Sequence, residues 1–390
     1  MAQYEIKDGL GIIPEGTTEI ERNAFDNCVE LKAVSIPSSV IKICDGAFSN
    51  CPQLTHVDIP NSVVEIGNAF RFCSSLTSIE IPASVTKLSV FCFGNCSLES
   101  IKVAKGNTKY DSRDDCNAVI ETATNKLFLG CKSTTIPPTV TTIGYAAFDH
   151  RSGLSDIDIP SSVKDIDSYA FNCCEDLKSI NIPSSVTRIG WRSFGDCKSL
   201  TKVDIPSSVV ILERGAFEDC SNLSDVTIHA AITEIESETF KGSGLTKIEI
   251  PSTVTHIGEK AFKGCPKLID VVIPESVTII DKNAFEECIE LKSIIIPASV
   301  KSIKEQAFAG CKNLKSVSIF APVASLGWTL FLRCPAVEEI TFGGGIKKID
   351  GDSFLHSKLL KTINVPAKKG DYYRSRLPER LQGLVVEQTK

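Results

Sequence analysis

The amino-acid sequence predicts a repeat solenoid, a fold in which short parallel strands from successive coils line up into a sheet. One phenylalanine recurs every 22 or 23 residues along most of the 390-residue chain, and the same apolar and polar pattern surrounds each copy. A single copy has too few apolar side chains for a core of its own, so the copies must stack to bury them. These observations place the chain among repeat proteins.

The marker phenylalanine defines the coils. Its copies are Phe25, Phe48, Phe70, Phe93, Phe148, Phe171, Phe194, Phe217, Phe240, Phe262, Phe285, Phe308, Phe331 and Phe354. Every interval is 22 or 23 residues except for the gap of 55 between Phe93 and Phe148. The regular spacing predicts one coil per copy, and the long gap predicts an interruption of the stack.

Each copy follows the template L-x-x-I-x-I-P-x-S-V-x-x-I-x-x-x-A-F-x-x-C, as in residues 177–197. The segment L-x-x-I-x-I alternates apolar and polar residues, which predicts a short strand with one buried face. Proline has no N–H to donate and ends that strand, and the serines after it favour a turn through side chain to backbone hydrogen bonds. V-x-x-I predicts a second short strand on the opposite side of the coil. A-F-x-x-C predicts a turn that directs the phenylalanine inward.

Cysteine follows the repeat. A cysteine lies three residues after eleven of the marker phenylalanines, at Cys28, Cys51, Cys73, Cys96, Cys174, Cys197, Cys220, Cys265, Cys288, Cys311 and Cys334. This pattern predicts a ladder of small buried residues with free thiols, one per coil. Arg151, Ser243 and Ser357 hold the position in the other three coils, which a metal cluster would not tolerate. The sequence has no C-x-x-C pair either, so we expect no metal and no cofactor.

The template resembles that of the BspA-like leucine-rich repeats, whose units carry I-P-x-S-V-T-x-I-G-x-x-A-F-x-x-C, and the resemblance covers nearly the whole chain. It implies a curved right-handed rod, poor in helix, with a parallel sheet of short strands on one face and short strands or turns on the other. It also implies a bacterial surface or secreted protein, of the kind found in Bacteroidales. Such proteins are credited with adhesion to host or matrix proteins, and no catalytic activity is attached to the repeat.

The sequence divides into five segments. Residues 1–24 form an N-terminal cap and first coil, residues 25–103 and 136–366 form regular coils, residues 104–135 form an irregular repeat with a hairpin insertion, and residues 367–390 form a C-terminal cap.

The irregular repeat contains a pair of cysteines that the hairpin would bring together. Residues 117–130 predict a hairpin that turns near residues 123–125, which places Cys116 opposite Cys131. The two cysteines could form a disulfide in an oxidising compartment. The alternative is two thiols packed beneath the insertion.

The outward residues of the L-x-x-I-x-I strands form columns on the sheet face, and they include the candidate binding residues. These candidates are Asp58, Glu80, Asp156, Asp158, Asp204, Asp225, Glu249, Val272 and Ile295. The acidic section is expected to meet basic or polar groups of a protein partner, and Val272 with Ile295 to provide an apolar anchor. The alternative is a solvated acidic face with two aliphatic residues of high strand propensity.

Composition and charge exclude several functions. A net charge of −6 without a concentrated basic surface argues against nucleic acid as a partner, and no apolar stretch is long enough for a transmembrane helix. The five histidines lie in different coils, so no catalytic triad is expected. Trp191 is expected to pack on the outer face rather than to stack on a sugar. We therefore expect a monomeric, non-enzymatic, protein-binding module.

The compartment has two interpretations. Residues 1–8 lack the basic start and apolar run of a secretory signal, so the chain is cytoplasmic or its signal has been removed. The family resemblance implies a surface or secreted adhesin. The alternative is an intracellular protein-interaction scaffold, supported by the missing signal and the ladder of unpaired thiols.

Overall fold

The computed structural model describes residues 4–322, 325–326, 329–349, 354 and 356–389. The chain divides into two compact units, Met1–Lys198 and Ser199–Lys390. In both units the coils contribute short strands that pair in parallel with the strands of neighbouring coils. The predicted repeat solenoid, with its parallel sheets of short strands and little helix, is confirmed.

The L-x-x-I-x-I segments form the first strand of each coil, and these strands make up the front face. In the first unit they are Leu10–Ile12, Ala33–Ser35, His56–Val57, Ser78–Ile81 and Ser100–Val103, and a single parallel bridge joins Asp158 to Asn181. In the second unit they are Lys202–Ile205, Asp225–Ile228, Lys247–Glu249, Asp270–Val272, Ser293–Ile296, Ser316–Ile319, Glu339–Phe342 and Thr362–Val365. Equivalent residues of neighbouring coils lie side by side, as Glu80 does beside Lys102.

The V-x-x-I segments form the second strand, and these two-residue strands make up the back face. In the first unit they are Glu19–Ile20, Lys42–Ile43, Glu65–Ile66, Lys87–Leu88, Thr142–Ile143, Asp165–Ile166 and Arg188–Ile189. In the second unit they are Ile211–Leu212, Glu234–Ile235, His256–Ile257, Ile279–Ile280, Ser302–Ile303, Ser325–Leu326 and Lys348–Ile349. Oppositely charged residues follow one another along this face, for instance Lys42 between Glu19 and Glu65 at 3.7 and 3.5 Å.

The remaining elements lie at the chain ends and in the irregular repeat. At the N-terminus Glu5–Lys7 pairs antiparallel with the first front strand. The irregular repeat contains Tyr110–Asp111, a 3-10 turn Arg113–Asp115, and the hairpin strands Ala118–Glu121 and Lys126–Gly130. At the C-terminus the helices Gly370–Arg374 and Glu379–Gln382 lead to the strand Val385–Glu387, which pairs parallel with the last front strand.

The marker phenylalanines stack along the interior of each unit. Centroids of neighbouring rings lie 5.1 to 5.5 Å apart from Phe25 to Phe93 and 5.1 to 5.8 Å apart from Phe217 to Phe354. These separations fall in the range that favours offset stacking of aromatic rings. A coil therefore buries its phenylalanine against the rings of the coils next to it.

The phenylalanine turns are joined by hydrogen bonds between backbone groups. Around Phe25 the N–H groups of residues 23, 25 and 27 donate to the carbonyls of residues 45, 47 and 49 at 3.3, 2.7 and 2.9 Å. Asn23 and Asn27 have φ angles of 60° and 61°, in the left-handed region that asparagine tolerates better than most residues. Left-handed residues on both sides of the phenylalanine thus turn alternate N–H groups toward the next coil.

The cysteine ladder is buried, as the repeat predicts. Nine of the ladder thiols donate a hydrogen bond to the backbone carbonyl of the marker phenylalanine in the preceding coil. The pairs are Cys51 with Phe25, Cys73 with Phe48, Cys96 with Phe70, Cys174 with Phe148, Cys197 with Phe171, Cys265 with Phe240, Cys288 with Phe262, Cys311 with Phe285 and Cys334 with Phe308. The thiol therefore acts as a small apolar residue that also satisfies a buried carbonyl.

Three of the serines after the proline differ from the prediction. Ser39, Ser84 and Ser185 donate their hydroxyl groups to backbone carbonyls of the preceding coil, at 2.6 to 2.8 Å, rather than within their own turn. The turn itself is closed by the backbone, for example from the N–H of Val63 to the carbonyl of Pro60 at 3.1 Å. Neighbouring coils are so close that a carbonyl of the preceding coil, rather than one in the same turn, accepts the hydrogen bond from the serine hydroxyl group.

Burial of the thiols predicts a stability that depends on pH at the alkaline end. Burial raises the pKa of Cys265 from its ordinary value of 9.0 to about 12, so the unfolded chain loses this proton at lower pH than the folded chain. The contribution is fully present below pH 9.0 and is lost as the pH rises toward 12. In urea denaturation, the free energy of unfolding should fall more steeply with pH for the wild type than for Cys265→Ala. Equal slopes would contradict this account, and Ser293→Ala, at an exposed serine, should keep the wild-type slope.

Candidate functional site

A groove runs along the front face of the first unit, where the regular strands meet the irregular repeat. Three adjoining pockets form it, with volumes of about 410, 1060 and 340 Å³. Glu80 and Lys102 line both the first and the second pocket, and Lys132 and Ser133 line both the second and the third. We call the three together the front groove.

The irregular repeat forms one wall of the front groove and is fixed to the coil before it. Lys132 pairs with Glu99 at 2.7 Å, and Ser133 donates its hydroxyl to the carbonyl of Glu99. Ser100 donates to the Oδ1 of Asn117 at 3.1 Å. These bonds connect both ends of the hairpin to the strand Ser100–Val103 and the residue before it.

Interactions inside the irregular repeat add to this rigidity. Arg113 contacts Asp111 through two nitrogens, at 2.7 and 2.5 Å, and also donates to the Oδ1 of Asn125 at 2.8 Å. Burial by itself would raise the pKa of Asp111, but hydrogen bonds from Arg113 and Thr122 outweigh burial and lower this pKa. The hairpin is therefore held at its base and near its turn.

The front groove contains both charges. Glu80 and Lys102 are neighbours in the register of the sheet, and Asp115 and Lys132 lie on the side of the irregular repeat. A partner that fits the groove must offer positive and negative groups at matching positions. The sequence prediction of an acidic face therefore describes only part of this surface.

The structure places all nine candidate binding residues on the front face with exposed side chains. Asp58 and Glu80 share one pocket, and Asp156 and Asp158 share another. Asp58 also lies 3.0 Å from a ring nitrogen of His56. Their position on the surface follows from the template, and their role in binding stays a prediction.

In the second unit the acidic candidates have a basic neighbour. Lys202 lies 3.7 Å from both Asp204 and Asp225, so the lysine partly neutralises the two carboxylates. Glu249 lies beside Val272 in the register of the sheet. Val272 and Ile295 are 63% and 59% exposed, which makes them an apolar step on a mainly polar face.

Asp156 and Asp158 are two neighbouring carboxylates, a combination that glycoside hydrolases use for catalysis. Both are exposed, in a shallow pocket lined mainly by residues 132–136 and 156–160. Carboxylates that act as acid and base in glycoside hydrolysis need an environment that raises one pKa and excludes water. This pair has no such enclosure.

Cys116 and Cys131 are buried free thiols in this structure. Ala118 pairs with Gly130 across the hairpin, so a continued register places residue 117, rather than Cys116, across from Cys131. Accordingly, Cys131 lies 3.3 Å from the carbonyl of Asn117, and Cys116 contacts the carbonyl of Ala118. The arrangement corresponds to the alternative of two packed thiols, and the disulfide stays a prediction for oxidising conditions.

Arg151 has a role that the sequence analysis missed. It occupies the position of the ladder cysteine, is 2% exposed, and donates to the carbonyls of Gly130 and Phe93, both at 2.8 Å. A cysteine thiol reaches one coil back, whereas the longer arginine reaches past the hairpin strand to the coil before it. Gly130 fits here because a Cβ would overlap the ring of Phe148. Arg151 thus joins the regular coils on either side of the interruption.

The signals for these features were present in the sequence but incomplete. Arg151 was visible as an exception in the cysteine ladder, yet its acceptors depend on how the hairpin packs. Lys102 is an outward residue of an L-x-x-I-x-I strand, so the template locates it on the sheet face. Lys132 belongs to no repeat position, so the template does not locate it. In the part of the chain that the structure describes, no helix is long and apolar enough to cross a membrane.

A family model for the BspA type leucine rich repeat region matches the chain in six copies, over residues 11–114, 121–244 and 233–361. The match spans most of the chain and both compact units. No curated protein is significantly similar to the chain.

Two crystal structures of bacterial proteins have the same fold. A leucine-rich repeat protein from Bacteroides ovatus ATCC 8483 is 22% identical, with 97% of this chain and 92% of that chain covered and a TM-score of 0.57. A leucine-rich repeat protein from Eubacterium ventriosum ATCC 27560 is 23% identical, with 77% and 82% covered and a TM-score of 0.58. At these identities the likeness shows the fold.

Replacement of Arg151 should destabilise the first unit. Arg151→Met removes the hydrogen bonds from the guanidinium group to the buried carbonyls of Gly130 and Phe93, and each bond to a charged donor contributes about 1.5–3 kcal/mol. Arg151→Cys should be nearly as damaging, because the thiol is too short to reach Phe93. Urea denaturation followed by circular dichroism measures both variants, with the exposed Arg71→Met as the control. Wild-type stability in Arg151→Cys would show that the long side chain is not needed.

Proposed function

The chain belongs to the BspA-type leucine-rich repeat family, and from that premise we propose that it is a non-enzymatic module that binds another protein through its front face. The front groove is the observation that carries this proposal. It has rigid walls, exposed side chains of both charges and a volume of about 1060 Å³ in its largest pocket. Rigid scaffolds that present polar side chains in this way are typical of recognition surfaces.

The chemistry of the front face favours a protein over a small molecule. Small-molecule sites are mostly apolar and enclose their ligand, whereas the front groove is lined largely by charged residues and serines. A protein interface accepts a polar, wet rim with charge complementarity. The partner should therefore present a loop or chain segment that carries both acidic and basic groups.

We propose that the protein acts at the bacterial cell surface or after secretion, as an adhesin that contacts host or matrix proteins. The family supports this location. An intracellular interaction scaffold is the second candidate, and the ladder of free buried thiols is compatible with it. Protease treatment of intact cells distinguishes the two, because it degrades a surface protein and spares an intracellular one.

We further propose that the chain works as a monomer. At the N-terminus Tyr4 packs on Phe25, with ring centroids 5.6 Å apart. At the C-terminus Tyr373 stacks on Phe342 at 5.2 Å, and Leu377 and Leu381 are buried. The terminal segments thus cover apolar coil ends that would otherwise favour association.

A charge exchange in the front groove should weaken binding. The double variant Glu80→Lys with Lys102→Glu keeps one acidic and one basic side chain at these two neighbouring positions but inverts the pattern that a partner meets. A partner is first captured with the intact chain and identified by mass spectrometry. Surface plasmon resonance with the purified partner should then show an affinity at least about tenfold lower than for the wild type.

The matched control is the exchange Glu65→Lys with Lys87→Glu on the back face. These residues are also neighbours in register, 3.3 Å apart, and belong to the same unit. Their exchange should leave the affinity unchanged. Equal losses from the two exchanges, or no loss from the front exchange, would remove the front groove as the binding site.

The apolar step in the second unit should contribute separately. Val272→Asp with Ile295→Asp replaces two exposed aliphatic side chains by charges and should lower the affinity for the same partner by about tenfold or more, if they form a desolvated anchor. Val210→Asp with Ile211→Asp is the control, because these residues are also exposed, at 69% and 47%. If the variant Val272→Asp with Ile295→Asp binds the partner as tightly as the wild type does, Val272 and Ile295 do not contribute to the interface.

A further inference from the structure

Four aromatic rings form a continuous row in the first unit, away from the front groove. Phe91 and Tyr145 lie 5.9 Å apart between ring centroids, Tyr145 and Tyr169 5.8 Å apart, and Tyr169 and Trp191 4.9 Å apart. The planes of neighbouring rings meet at 65° to 83°, an edge-to-face arrangement. We call these four residues the aromatic strip.

The aromatic strip follows the back strands, where each coil turns toward its marker phenylalanine. Its residues lie two or three positions before Phe93, Phe148, Phe171 and Phe194. In other coils these positions hold mainly polar or small residues, such as Arg22 and Asn23 before Phe25. The solenoid does not require aromatic residues here, so the strip is a feature added to the fold.

The strip is exposed on the outer surface, where Trp191 also packs on a neighbouring ring. Trp191 is 42% exposed and Tyr145 is 39% exposed, while Phe91 and Tyr169 are half-buried between them and their neighbours. Contiguous exposed aromatic surface is unusual on a soluble protein and marks a binding site. Trp191 packs its ring on Tyr169 and still presents much of it to solvent.

The turn of the repeat fixes the position of the Tyr169 ring. The φ angle of Tyr169 is 58°, in the left-handed region, and Asn23, Glu238 and Gln306 at the same position of other coils have φ angles of 58° to 60°. The left-handed conformation therefore belongs to the template, and it holds the ring of Tyr169 between Tyr145 and Trp191.

The charges beside the strip are paired with one another. Arg188 lies 2.9 Å from Asp165 and 3.4 Å from Asp167, and Lys126 lies 3.2 Å from Asp167. After the tryptophan, Arg192 pairs with Asp196 at 2.6 Å. The aromatic row therefore has mixed charges near it and no excess of either sign. A partner rich in phosphate or sulfate has no concentrated basic surface to bind.

We propose that the aromatic strip binds a neutral glycan chain. A pyranose ring has an apolar C–H face that packs on an aromatic ring, and hydroxyl groups at its edge that accept from arginine and donate to aspartate. A row of four rings suits a linear chain of sugars. The arginine and aspartate side chains beside the rings supply the hydrogen-bond donors and acceptors that such hydroxyl groups need.

The glycan proposal is independent of the protein-binding proposal. The strip follows the back strands, and none of its residues lines the front groove. The exchange of Glu80 and Lys102 should therefore leave glycan binding unchanged. Loss of Trp191 should leave the captured protein partner bound.

The test is a titration of the full chain with neutral oligosaccharides of glucose, xylose, mannose and galactose. Isothermal titration calorimetry and tryptophan fluorescence measure the binding. At least one of them should bind, and Trp191→Ala and Tyr145→Ala should each lower its affinity about tenfold. Phe72→Ala is the matched control, since Phe72 is 44% exposed in the same unit but outside the strip, and it should bind as the wild type does. Circular dichroism checks that each variant is folded.

Four outcomes would overturn the proposal. The first is that no neutral oligosaccharide binds. The second is stronger binding of heparin or anionic vesicles, and the third is equal loss of affinity in Phe72→Ala and Trp191→Ala. The last is a dimer in sedimentation velocity that Trp191→Ala dissociates, which would assign the strip to a second copy of the chain.

Discussion

The contact between neighbouring phenylalanine turns is the constraint on which the rest of the structure depends. Within the runs of regular coils a buried ring stacks on the next, and backbone N–H groups donate to the following coil. The ladder thiol returns a hydrogen bond to the coil before it. Because all three contacts repeat at the same spacing, they fix how closely coils approach. The short strands, often of two residues, pair as a consequence of that spacing and would be too short to hold a sheet by themselves.

This constraint leaves the outward residues free to vary. Side chains between the buried positions of the front and back strands contribute little to the interior, so their identity is open to selection for binding. The first unit shows two results of that freedom: a polar groove on the front face and an aromatic row beyond the back strands.

The sequence predicts the repeating features well because each of them occurs in many coils. Strand positions, the buried phenylalanines and the buried cysteines follow from the template, and single exceptions do not blur them. The features that occur once were out of reach. The acceptors of Arg151 depend on the packing of a hairpin, and the pairing of Lys202 with Asp204 and Asp225 depends on side-chain positions across coils. The row that Trp191 forms with Tyr169 and Tyr145 also depends on ring positions across neighbouring coils.

The interruption near Arg151 has a consequence for how such proteins change over evolutionary time. A hairpin that does not follow the template lies within the repeat stack. The side chain of Arg151 makes hydrogen bonds across it to the carbonyls of Gly130 and Phe93. Insertion then needs no redesign of the coils on either side, since each contacts only its neighbours. Whole coils can be gained or lost under the same condition, in steps of about 4.8 Å. The number of coils thereby sets the length of the front face. Its local shape depends on the few places where an insertion interrupts the repeat.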